Sequence, residues 1–191
     1  MRIRPVRLVP LLVVSLAVPW ASAQDAGRPA GAGAGLVNRK QVRLQLKGAE
    51  VALAAAREKA ADLKVAVNIA VVDDGGHLIT FARMDNARPG SAPTAMTKAT
   101  AAATFRQATG PLPPKGEPDL LLSLGVSLAA AAGGGKATPL LGGLPIVVDG
   151  QVIGAVGVGG ATGEQDAEVA KAGVQAHVKA LDAEPRQGPG K

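Results

Sequence analysis

Apolar side chains recur at spacings of four and three through Val42, Leu46, Ala49, Leu53, Ala56, Ala60 and Leu63. That stripe predicts a long helix over residues 41–63. The run VAVNIAVV at 65–72 is β-branched and almost continuously apolar, as a strand covered on both faces would be. Asp73-Asp74-Gly75-Gly76 is turn chemistry, and HLITFARM reads as the second arm of a hairpin. Residues 91–107 predict a second helix, with Ser91 as its cap and Pro93 tolerated in its first turn. Residues 108–143 have no sustained period and read as an irregular connection, in which LLLSLGVSLAAAA is a short helix or strand. Asp149-Gly150 sits between LPIVV and QVIGAVGVG and predicts a second hairpin over 144–159. A final helix over 163–181 has the stripe Ala167, Ala170, Val174, Val178 and Leu181, with Thr162 and Gln165 as a capping box. Two hairpins alternating with helices predict an α+β domain, an antiparallel sheet with helices packed on it.

The stretch VGVGGATGEQD, residues 156–166, raises the question of a phosphate-cradling loop. A dinucleotide turn needs G-x-G-x-x-G and then a helix leading to a second parallel strand. Here the third glycine comes one residue late, only a helix follows, and the strand before the loop is the return arm of a hairpin. A nucleotide site is therefore rejected. Gly154, Gly157, Gly159 and Gly160 instead bare a strand, which marks close approach of a ligand or of another backbone. The N–H groups at Thr162 and Gly163 offer a place for a carboxylate or propionate. The alternative is a plain bulge feeding a capped helix.

The two ends change the charge balance. MRIRPVR, a short apolar run and Ala21-Ser22-Ala23 have the form of a Sec signal peptide over residues 1–23, cut after Ala23. Residues 24–40 are rich in Gly, Ala and Pro and read as a flexible leader, and 183–191 as a disordered tail. The structured domain is then 41–182, and the expected location is periplasmic or secreted, without a stable membrane anchor. The formal net charge is +6, but Arg2, Arg4 and Arg7 belong to the signal; the remaining 18 basic and 15 acidic residues give +3. That mild balance, with no tyrosine and few other aromatics, offers no nucleic-acid surface. The absence of cysteine excludes disulfides, thiolate chemistry and cysteine-ligated metals.

Candidate chemistry is sparse. His77 stands beside Asp73 and Asp74, and His177 lies at the edge of the apolar stripe of the last helix, on the flank of Asp166 and Gly173. No H-E-x-x-H, nucleophile elbow or P-loop is present. Lys98, Arg83 and Arg88 are the cations best placed to meet an anionic ligand. Thr94, Thr97, Thr100 and Thr104 line one side of the second helix, either as a backbone-bonded face or as a ligand-facing row.

The segments AVVDDGGHLITFARMD (70–85), PTAMTKATAAATF (93–105) and GGLPIVVDGQVIGAVGVGGATGEQDAEVA (142–170) together resemble the GlcG/HbpS-type haem-binding, or haem-degrading, domain family. The likeness spans roughly residues 41–181. It implies a sheet of about five antiparallel strands, a homo-oligomer, and haem or another tetrapyrrole as ligand and cofactor, with a role in haem handling or redox stress. His77 carries over as the iron ligand, with a threonine of the second helix, Thr97, as the second candidate. Arg83, Lys98, Gly157 and Gly160 complete the expected binding residues. The family's usual G-V-S-G-A reads Gly157-Val158-Gly159-Gly160-Ala161 here, without the serine, and the segment 121–137 is longer and richer in Ala and Gly. Haem degradation needs an electron source and a reactive pocket, neither of which the sequence supplies, so no catalytic residue is assigned. Two other readings remain: a binder or enzyme for a small organic acid held by Lys98, Arg83 and the Thr162/Gly163 helix start, and a structural homo-oligomer with the Gly/Ala strand at its subunit interface.

Overall fold

The computed structural model describes residues 41–184. The expected signal peptide and leader, and the tail beyond Glu184, lie outside the described residues. The elements are α1 (Leu46–Asp62), β1 (Asn68–Asp73), β2 (Leu78–Arg83), α2 (Ser91–Thr104), α3 (Leu120–Ala132), β3 (Gly143–Val148), β4 (Gln151–Gly159) and α4 (Gly163–Ala183). The fold is α+β, as expected. The described sheet has four strands, close to the five expected, in the order β2-β1-β4-β3, with every neighbouring pair antiparallel.

The apolar run in β1 becomes a central strand, and Ile69, Ala70, Val71 and Val72 are at most 1% exposed. Ile69 and Val71 face one core with Val156 and Val158 of β4 and with the alanine stripe Ala49, Ala52, Ala56 and Ala60 of α1. Val169 and Ala170 of α4 close that layer. Ala70, Val72 and Ala155 face the opposite core, which α2 covers with Ala95, Ala99, Ala102 and Ala103. The domain therefore has three layers: α1 and α4, the sheet, and α2.

Gly157 pairs with Ala70 across the sheet, and a β-carbon on it would overlap the Ala95 carbonyl and the Ala99 amide of α2. Gly159 does the same work one step on, against Ser91 O and Ala95 N. The glycines thus let a helix backbone lie on the strand. This corrects the expectation that the Gly/Ala strand faces a ligand or another subunit at Gly157. Its odd-numbered face is already covered by the chain's own α2.

Local chemistry sets the turns and caps. Asp149 and Gly150 both have positive φ, 49° and 73°, as a type I′ hairpin turn demands. Thr162 Oγ1 accepts from the Gln165 amide and Gln165 Oε1 from the Thr162 amide, the reciprocal box expected. Ser91 is not the cap of α2. It is the first helical residue, after Gly90, and makes no capping bond. Within the segment expected to be irregular, α3 forms from Leu120, capped by Asp119, whose carboxylate accepts from the Leu122 amide at 2.9 Å.

Candidate ligand-binding site

His77 lies in the turn between β1 and β2 rather than within the second strand. Asp73 organises that turn: its Oδ1 accepts from the Gly75 amide at 2.9 Å and the His77 amide at 2.8 Å. The His77 Nδ1 stands 3.2 Å from both Asp73 carboxylate oxygens. Burial works to raise the Asp73 carboxyl, but the bonds from the His77 amide, the His77 ring and the Gly75 amide outweigh it and hold it below its ordinary value. A carboxylate on one ring nitrogen fixes the orientation of the imidazole and leaves Nε2 for another partner. The His77 side chain is 82% exposed, and Nε2 has no hydrogen bond among the described residues.

A cleft of about 420 Å³ lies beside this turn. Gly75 and Gly76 form one wall, Thr100, Thr104 and Phe105 of the α2 end a second, and Ala129, Ala130 and Lys136 a third. Thr100 Oγ1 donates to the Gly76 carbonyl at 3.1 Å and ties the turn to α2. Gly76 has φ +83°, and a β-carbon there would come within 2.7 Å of Thr100 Cγ2, so glycine is required both for the turn and for this contact. Phe105, about half exposed, adds apolar surface.

The other expected binding residues do not gather here. Thr97 is half-buried on α2, one turn before Thr100, and does not line the cleft. Arg83 ends β2 and borders a separate shallow cavity with Met84, Asp85, Asn86 and Arg88. Gly160 has φ +139°, approaches the backbone of Ala66 and Val67, and its carbonyl accepts from Arg88 Nη2 at 3.1 Å. Gly157 is under α2.

Lys98 is the clearest departure. It is 3% exposed, and its ammonium donates to Asp166 Oδ2 at 2.7 Å and to the Val158 carbonyl at 2.8 Å. Asp166, 2% exposed, also accepts from the Ala161 amide at 3.1 Å. The pair pins α2 and α4 to the end of β4, so Lys98 is a structural cation rather than a ligand-facing one. Its partner was missed in the sequence, although Asp166 stands in the quoted G-E-Q-D. The helix start at Thr162/Gly163 is also poorly suited to an anion, because its first turn carries Glu164 and Asp166 and its box is closed. Phe105, Thr100 and Lys136 were not singled out as ligand residues; only the threonine row pointed toward one of them.

The domain is thus a sandwich of two small-residue cores around a glycine-thinned antiparallel sheet, with a carboxylate-held histidine at one turn. The chain matches the family described as "Haem degrading protein HbpS-like" over residues 44–175 and belongs to that family. It is 41% identical over 120 residues to Protein GlcG of Escherichia coli, spanning 63% of this chain and 84% of that protein. Among solved structures it is similar to Klebsiella pneumoniae protein ORFY, with TM-score 0.63 and 32% identity over 74% of this chain and 97% of the other. A double mutant of Streptomyces reticuli HbpS gives TM-score 0.59 and 29% identity over 74% and 90%. A complex of PduOC with haem gives 0.58 and 26% over 71% and 95%.

Proposed function

We infer that this chain binds haem or a related tetrapyrrole at the cleft beside the β1–β2 turn and acts in haem handling outside the cytoplasm. The observation that carries the reading is His77, an exposed imidazole held at Nδ1 by Asp73 in the turn whose Gly75 and Gly76 line the cleft. Among the described residues, no three His, Asp or Glu side chains gather as a metal site. A porphyrin iron brings four nitrogens of its own and needs only an axial ligand, which suits a lone histidine. Phe105 and the α3 alanines Ala129 and Ala130 offer apolar contact, and Lys136 a cation for a propionate. When bound, haem would supply a redox-active iron; the chain's own part is to fix the imidazole through Asp73 and to cover one face of the ring. The haem complex of the similar PduOC supports the ligand class.

Self-association belongs to the same reading. Leu120, Leu121 and Leu128 of α3 are 69%, 82% and 70% exposed, leucines that the other described residues leave uncovered. A second copy seated on α3 would bury them and narrow the cleft that α3 borders. Export is supported by the basic start, apolar run and Ala21-Ser22-Ala23.

The test is a haem titration of the purified protein followed at the Soret band, with His77→Ala beside it. Stoichiometric binding with a spectrum altered in the variant is expected. No band, or identical spectra, would sink the reading. Leu121→Lys with Leu128→Lys should lower the mass seen by light scattering, and protein recovered from its native cell should begin at Gln24.

A further inference from the structure

The turn before His77 holds a pair of glycines, Gly75 and Gly76, and the backbone accounts for only the second. Gly76 has φ +83° and lies against Thr100, so conformation and contact both exclude a side chain. Gly75 does not have the left-handed φ that favours glycine. A β-carbon on Gly75 would instead meet the imidazole. It would lie 2.8 Å from His77 Cε1, 2.9 Å from His77 Nδ1 and 3.3 Å from Asp73 Oδ1. The ring therefore occupies the space that a side chain at Gly75 would fill, and from there Nδ1 reaches Asp73.

The carboxylate does not depend on the ring for its own place. The Gly75 and His77 amides hold Asp73 Oδ1 at 2.9 and 2.8 Å whatever the imidazole does. Asp74, the neighbouring acid, accepts from Gln41 Nε2 at 3.0 Å. The ring is the movable member, since its side chain is 82% exposed. A methyl group at Gly75 would thus press a mobile imidazole against a fixed carboxylate, and rotation of the ring out of its seat is the response that leaves the backbone in place.

We propose that Gly75 is a positioning residue for the ligand site: by lacking a side chain it seats the His77 ring on Asp73 and so sets the direction in which Nε2 is presented to a haem iron. This rests on the haem reading given above. Gly75 acts through His77 and needs no contact of its own with the iron. A group that fixes the orientation of a ligating imidazole is worth roughly 10–100-fold in metal affinity.

The test compares the full chain with Gly75→Ala, first without haem. In the unaltered protein the His77 Hε1 proton should show a nuclear Overhauser contact to the Gly75 α-protons. In Gly75→Ala the His77 Nδ1 signal should shift as the ring leaves Asp73. The urea midpoint should stay close to that of the unaltered protein, because the methyl group displaces a side chain and not the backbone. Haem titration should then show binding weaker by roughly tenfold or more, with an altered Soret band. In a His77→Ala background the same change should have no further effect on the haem spectrum, since its influence passes through the ring. Equal haem affinity and spectra for the unaltered protein and Gly75→Ala would overturn the proposal, as would a missing Hε1 contact in the unaltered protein. So would a large fall in the urea midpoint, which would make Gly75 a requirement of the turn itself. A missing Soret band in the unaltered protein refutes the haem reading, whereas the Overhauser contact and the Nδ1 signal, taken without haem, still decide whether Gly75 seats the ring.

Discussion

Replacing Asp166 with leucine leaves the Lys98 ammonium 3% exposed with the Val158 carbonyl as its only partner. Removing one member of a buried pair costs about 3–5 kcal/mol, because the remaining charge is neither hydrated nor answered. The Ala161 amide loses its acceptor as well. Against a total stability of about 5–15 kcal/mol, this single change takes a large share. Lys98→Met should cost a similar amount, leaving the Asp166 carboxylate with the Ala161 amide alone. The double variant Lys98→Met/Asp166→Leu removes both charges and keeps the volume apolar. It should lose only about 1–3 kcal/mol, chiefly for the unpaired Ala161 amide. The assay is urea unfolding followed by far-UV circular dichroism, since the lone Trp20 lies outside the described residues. A double variant as unstable as the sum of the two singles would refute the account of Lys98 as half of a coupled, buried pair.

Three further outcomes follow from the packing. Gly157→Ala pushes a methyl group into the α2 backbone and should cost about 3 kcal/mol or more, read as a lower urea midpoint; a shift under 1 kcal/mol would mean α2 can move away freely. Thr162→Ala removes the α4 cap and should cost about 1 kcal/mol by the same measurement. Asp73 is held below its ordinary carboxyl value, so its contribution is complete above the ordinary carboxylate range and is lost as pH falls through the lowered native value. Asp73→Asn should therefore lower stability near neutrality and flatten the decline in acid, and unchanged acid profiles in the two proteins would count against the turn bonds described.

The sequence by itself determined most of the scaffold. The 4-3 spacing from Val42 to Leu63 placed α1, although the helix begins only at Leu46, after Gln45 in extended conformation. Asp149-Gly150 set the second hairpin and Thr162 with Gln165 the start of α4, since both signals are local and need no distant partner. The segment at 120–132 was legible only as an apolar run, because a stretch of leucine and alanine shows no period that separates helix from strand.

What only the tertiary structure decided is the meaning of the glycines and charges. Gly157 reads the same in sequence whether a ligand, another subunit or a helix lies on it; the register that sets it opposite Ala70 and beneath Ala99 gives it to α2. Lys98 and Asp166 are 68 residues apart, so their pairing follows from the packing of two helices on opposite faces at one end of β4. His177 likewise shows on a helical wheel only as the edge of a stripe. Its buried, half-bonded ring exists because Gly48, on a different helix, lacks the side chain that would have filled the space.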